Sequence, residues 1–198
     1  MTPDNEEQGE KNSSHIFIPM RDFMVVKLLA EYGFTVATAE SCTGGLLAKK
    51  ITDIPGASEA FEMGLITYAN RIKTQLLHIP EEVLAEYGAV SEQVASLMAI
   101  NVRELADSDF GIGITGIAGP DGGSEEKPVG LVYICVADRD HVWQEKMLPE
   151  DKDSLRKLSR YEARKLVREN AVSYALDLLL DAMLELRAAK GLKGLFDR

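Results

Sequence analysis

The stretch 34–51, FTVATAESCTGGLLAKKI, decides the fold, because three kinds of local pattern follow one another in it. The FTVATAE run at 34–40 reads as a β-strand, and Thr43-Gly44-Gly45 supplies a turn. Leu46, Leu47 and Ile51 then recur at helical spacing until Pro55-Gly56 ends the run. Upstream, Phe23, Val26, Leu28, Leu29 and Tyr32 mark a helix over about 19–34, with Gly33 as its C-cap. Downstream, 61–69 reads as a strand and 72–77 as a short helix. Ser91 caps a helix whose inner face carries Val94, Leu97, Met98, Val102 and Leu105. A strand at 109–114 leads into a Gly-rich loop at 115–123, and two β-rich runs, 129–137 and 141–148, meet near 138–140 as a hairpin. Ser159-Arg160-Tyr161-Glu162 fits a capping box, which starts a closing helix running to about residue 188. Strands alternating with helices, plus one hairpin, predict an α/β protein: a three-layer α/β/α sandwich with a mixed β-sheet.

With 198 residues, 45% of them hydrophobic, the chain has room for one ordinary domain, assigned to 19–190 between tails at 1–18 and 191–198. Residues 1–14 hold no aliphatic side chain after Met1, so ordering them would not be repaid by burial. Twenty-two Lys and Arg against 32 Asp and Glu leave a net charge of −10, which disfavours general binding to nucleic acid. The two cysteines, Cys42 and Cys135, lack CxxC spacing. No long apolar run or secretory leader is visible, so the expectation is a cytoplasmic protein with no membrane contact. Nothing in the pattern calls for a metal or a cofactor.

Two loops at predicted strand ends could carry chemistry. The first, 39–45, combines Ser41 with Thr43, Gly44 and Gly45 at a helix start, where backbone N–H groups could face an anion or an oxyanion. The second holds Thr115 and Gly116, and residues 111–123 contain six of the chain's 16 glycines, more than a connecting turn requires. Neither is a Walker A loop or a G-x-G-x-x-G loop, so ATP hydrolysis and dinucleotide redox chemistry lose their main support. Taken alone, each is more simply a tight turn, and Ser41 more simply a cap.

A serine nucleophile needs a base. His15 lies in the tail, His78 follows a short helix and His141 starts a hairpin strand, so none is well placed. Lysine and tyrosine can do this work when burial or a neighbouring cation lowers their pKa. Tyr68 and Lys73 stand five residues apart where the second strand gives way to a helix, and could share a sheet edge with Ser41. On spacing alone, a solvated lysine and a wet strand tyrosine are the better reading of that pair. Six cations lie between Arg156 and Arg168 against one acid, Glu162, with Arg156, Arg160, Arg164 and Arg168 repeating every four residues. On a helix they form a stripe in which Arg160 could meet a compact phosphate, the bland reading for most of them being a solvated face.

The segments AESCTGGLLA at 39–48, PGAS at 55–58, ITYANRIK at 66–73, GAVS at 88–91, TGIAGPDGG at 115–123 and KPVG at 127–130 lie in one order over roughly 20–188. With them the sequence resembles the C-terminal domain family of the competence/damage-inducible protein CinA. It looks most like the family's stand-alone nicotinamide-nucleotide amidohydrolases (PncC type). The resemblance implies hydrolysis of the carboxamide of nicotinamide mononucleotide to nicotinic acid mononucleotide and ammonia, in pyridine-nucleotide salvage. It makes Ser41 the nucleophile and Lys73 with Tyr68 its proton-transfer partner, the immediate base being one or the other. Thr115 and its loop would contact substrate, and Arg160, with Arg164 in reserve, would meet the phosphate. A departure stands beside Arg160, where Leu158-Ser159-Arg160 replaces the family's Gly-x-Arg.

Backbone N–H groups near residues 43–45 would then hold the oxyanion. The alternative is a non-catalytic nucleotide-binding sensor or docking module using the same pocket, and a third reading is an oligomeric scaffold. Leu178, Leu179, Leu180, Met183, Leu184 and Leu186 give the last helix an apolar face wider than one core contact needs, which suggests a homodimer or higher homo-oligomer.

Overall fold

A computed structural model describes residues 20–149 and 155–192. The tail assignments at 1–18 and, beyond Leu192, at the C-terminus lie outside the described residues. The chain runs α1 (Met20–Tyr32), β1 (Val36–Glu40), α2 (Leu46–Thr52), a 3-10 turn (Ala57–Glu59), β2 (Phe61–Ile66), α3 (Asn70–Leu77), α4 (Glu81–Tyr87) and α5 (Glu92–Ala106). It continues through β3 (Phe110–Gly116), β4 (Val132–Ala137), β5 (Val142–Met147) and α6 (Arg160–Ala189).

The sheet order is β2-β1-β3-β4-β5. Strand β1 is parallel to both neighbours, while β3–β4 and β4–β5 are antiparallel, so the sheet is mixed as predicted. Alternation along the strands separates two apolar layers. Val36, Phe110, Ile112, Ile114, Val132, Ile134 and Val136 pack with α1, α2 and α6, whereas Ala37, Ala39, Cys135 and Ala137 meet α3 and α5. The carboxyl ends of β1, β2 and β3 share one edge, and β1 lies between the other two. That is where the chain reverses its direction of travel across the sheet, the usual place for a site in an open α/β fold.

Two of the glycines counted with the loop serve packing instead. Gly111 and Gly113 sit inside β3 against α5, where an added Cβ would come within 2.0 Å of Ala99 O and 2.2 Å of Ala95 O. They let the helix lie directly on the sheet, so the glycine excess of 111–123 is in part a helix–sheet contact.

The second strand ends at Ile66 rather than near 69: Thr67 N–H still donates to Glu40 O at 2.9 Å, after which the chain turns into α3. Helix α4 has no counterpart in the sequence reading: it is seven residues long, and Val83 and Leu84, partly buried against the core, are too few to set a period. Ser91 and Ser159 both cap as expected, Ser159 with Glu162 in a complete capping box. The broad apolar face of α6 is used within the chain. Leu179 and Met183 are buried, Leu178, Leu180 and Leu186 pack on the same core, and Leu184 is left exposed. The width of that face therefore gives no support to a dimer.

Candidate active site

Glu40, the last residue of β1, is 1% exposed. Its carboxylate accepts from the N–H groups of Gly45 at 3.0 Å, Leu47 at 3.1 Å and Ala48 at 2.8 Å. It therefore supplies the negative charge that the start of α2 attracts and satisfies donors that no capping side chain reaches. This corrects the expectation for Gly45, whose N–H faces Glu40 and not a ligand. Gly44 N–H donates to Ser41 O at 3.1 Å. In the loop, the N–H groups of Cys42 and Thr43 have no acceptor on another residue among those described. Of the two, the Cys42 N–H lies against its own thiol, and both residues are buried.

Ser41 is half-buried and its N–H donates to Ile114 O at 2.9 Å, which continues the β1–β3 ladder one residue past the strand. Lys73, in the first turn of α3, is 1% exposed, against the solvated lysine that spacing favours. Its Nζ lies 3.2 Å from Ser41 Oγ and donates to Thr67 O at 2.7 Å. Burial lowers its pKa from 10.5 to about 8, with the neighbouring Cys42 opposing the shift. As an ammonium it donates to both the Thr67 carbonyl and the Ser41 hydroxyl; with its pKa lowered to about 8, loss of one proton leaves a lone pair that can accept from Ser41 Oγ while the Thr67 bond is kept, which is what a general base needs. Cys42, beside the nucleophile in sequence, is buried in the core under α6, and burial first, then Glu40, pushes its thiol up to about 12. It stays protonated and inert.

Tyr68 is 60% exposed and its phenol oxygen accepts from Arg164 Nη2 at 3.0 Å. No hydrogen bond joins it to Ser41 or Lys73 among the described residues. Arg164 also donates to Gly119 O at 2.5 Å, so it links Tyr68 to the Gly-rich loop. Thr115 is buried and donates to Ala89 O at 2.7 Å, and Lys127 donates to Tyr87 O and Val90 O, each at 2.8 Å. The TGIAG, GAVS and KPVG segments are thus tied together in space. At Gly116 an added Cβ would stand 2.6 Å from Leu131 O, so that glycine allows the loop to close on the segment before β4.

Arg160 pairs with Asp121 at 2.5 Å, the two side chains being 74% and 78% exposed. It lines a cavity of about 630 Å³ with Pro120, Pro128, Val129, Leu155 and Leu158, whose walls include none of Ser41, Tyr68 and Lys73. The structure therefore brings Ser41, Lys73 and the Thr43–Gly45 turn together, sets Tyr68 and Arg164 beside the Gly-rich loop, and leaves Arg160 farther out. Sequence reasoning missed the roles of Glu40 and the Thr67 carbonyl, and gave Arg168 no part beyond its place in the cationic stripe. An acid directly preceding the serine at a strand end is the signal that could have found the first. His78 caps α3 in a left-handed conformation and His141 contacts Asp138, so neither serves Ser41. Among the described residues no cluster of His, Cys, Asp or Glu could hold a metal, and no helix is long and apolar enough to cross a membrane.

A family profile described as the CinA C-terminal domain matches residues 21–183. A CinA-like protein of Desulfovibrio desulfuricans is 55% identical over 156 residues, covering 79% of this chain and 35% of that protein. One of Geobacter sulfurreducens is 58% identical over 118 residues, covering 60% of this chain and 29% of that protein. The chain spans about a third of the length of these relatives. Among solved structures, the competence/damage inducible protein CihA of Agrobacterium tumefaciens is 36% identical with a TM-score of 0.71, over 84% of this chain and 98% of that one. A CinA superfamily protein of Klebsiella pneumoniae is 28% identical with a TM-score of 0.73, over 83% and 96% of the two chains.

Proposed function

The chain belongs to the CinA C-terminal domain family, and from that premise we propose that it is an amidohydrolase acting on nicotinamide mononucleotide. The observation that carries the reading is the buried Lys73 amine 3.2 Å from Ser41 Oγ, a nucleophile and base in contact without imidazole. Ser41 Oγ attacks the carboxamide carbon while Lys73 takes its proton. The N–H groups of Cys42 and Thr43 receive the oxyanion. Lys73 then returns the proton to the amide nitrogen, ammonia leaves, and nicotinate remains as an ester on Ser41. Water, giving a proton to Lys73, attacks that ester and releases nicotinic acid mononucleotide and the free serine. Arg160 exchanges Asp121 for the substrate phosphate, since an exposed ion pair holds weakly in water.

The test is ammonia release from nicotinamide mononucleotide, which the protein performs and Ser41→Ala loses by at least about 10³-fold. One observation favours the second reading, a nucleotide-binding sensor: the 630 Å³ cavity does not include the Ser41 group. Binding of the nucleotide with no ammonia released would establish that reading and end the first.

A further inference from the structure

We infer that Arg168 is a positioning residue for the nucleophile loop, acting through the backbone and not by touching substrate; this rests on the reading of Ser41 as nucleophile. Arg168 stands on α6, two turns after Arg160, half-buried on the flank of the stripe formed by Ala163 and Val167. Its Nη2 and Nε both donate to Thr43 O, at 2.5 and 3.2 Å. Residues Thr43 and Arg168 are 125 positions apart, so the contact is purely tertiary.

The effect of that contact reaches the nucleophile through two peptide units. The carbonyl of Thr43 and the N–H of Gly44 belong to one peptide, and that N–H donates to Ser41 O at 3.1 Å. The carbonyl of Ser41 in turn shares its peptide with the N–H of Cys42. A cation on the first carbonyl polarises each unit and strengthens the donor of the next. The last donor is the N–H directly after the nucleophile, the position that serves an oxyanion hole in other serine hydrolases.

The loop is also held from its other side. Glu40 takes the N–H groups that follow it, while Arg168 takes the carbonyl that precedes them. Gly44 and Gly45, at φ +60° and +90°, give the backbone the turn that lets Thr43 O face α6. A Cβ on Gly44 would lie 3.5 Å from Arg168 Nη2, so the guanidinium fits against the turn itself. The arginines at 164 and 168 therefore fasten different parts of the site, at Tyr68 with Gly119 and at Thr43, while Arg160 pairs with Asp121 at the surface.

The test compares wild type, R168M and R168K in ammonia release from nicotinamide mononucleotide and in the ¹H–¹⁵N spectrum of the free protein. R168M should lower kcat about tenfold, less than outright loss of an oxyanion donor, with KM changed less than twofold. R168K, which keeps the charge but not the fork, should fall between, and the Gly44 amide proton should move upfield in both variants. A kcat within twofold of wild type in R168M, or a Gly44 amide that does not move, overturns the inference. If wild type releases no ammonia, the functional reading fails separately, and the Gly44 resonance still decides whether Arg168 acts on the loop. Should R168M fail to fold, R168K decides by the same two readouts.

Discussion

Lys73→Met removes the amine while keeping a straight side chain of similar length, and it should make the protein inactive yet relatively more stable near neutral pH. Lys73 titrates near 8 in the folded protein against 10.5 for a free lysine. The unfolded chain therefore holds its proton more tightly, and stability rises as pH climbs from about 8 to 10.5. Below that window the folded state carries the full cost of the displaced ammonium, about 3 kcal/mol, and at pH 10 only about 1 kcal/mol of it remains. The substitution also strands the Thr67 carbonyl, a loss of about 1–3 kcal/mol that does not depend on pH. Urea unfolding of both proteins at pH 7 and pH 10 separates the two contributions, because every other titrating group cancels in the comparison. The stability of the variant relative to wild type should be higher at pH 7 than at pH 10 by about 2–3 kcal/mol. A difference below about 0.5 kcal/mol would refute the claim that burial poises this amine, and with it the reason for naming Lys73 the base.

Tyr68→Phe should keep at least about a tenth of wild-type kcat where Lys73→Met loses about 10³-fold, since no hydrogen bond carries Tyr68 to Ser41; steady-state ammonia release assigns the base. Glu40→Ala should cost about 2–3 kcal/mol by leaving three N–H groups at the start of α2 without their anion, and Glu40→Gln about half of that, both read from urea midpoints. Gly113→Ala should cost about 3 kcal/mol or more, because its Cβ would press on the Ala95 carbonyl in a helix that cannot withdraw without opening the core; thermal melting checks it.

Much of the architecture is written locally. The pattern of 34–51 gives strand, turn and helix in the order observed, and Ser91 and Ser159 mark two helix starts by hydrogen bonds that span only three residues. The expected α/β/α layers follow, because alternation and helical spacing are properties of neighbours along the chain. Helix α4 escaped that reading because seven residues with two half-buried apolar side chains, Val83 and Leu84, are too few to set a period. Gly111 and Gly113 looked like loop chemistry, and only the position of α5 shows them to be a packing surface.

The site follows the same division. Ser41 is placed by its own strand and turn, so sequence alone could single it out. Whether Lys73 is solvated or buried depends on what covers it, and its partner lies 32 residues away. Glu40 reads as an ordinary strand-end acid until the first turn of α2 folds back over it, and Arg168 as a surface cation until α6 crosses the loop. Sequence by itself determined most of the elements, though not α4, with their order and the family motifs. Tertiary structure alone decided which charges lose their water and which backbone groups they hold, because solvation and non-local partners are set by the packing that brings distant segments together.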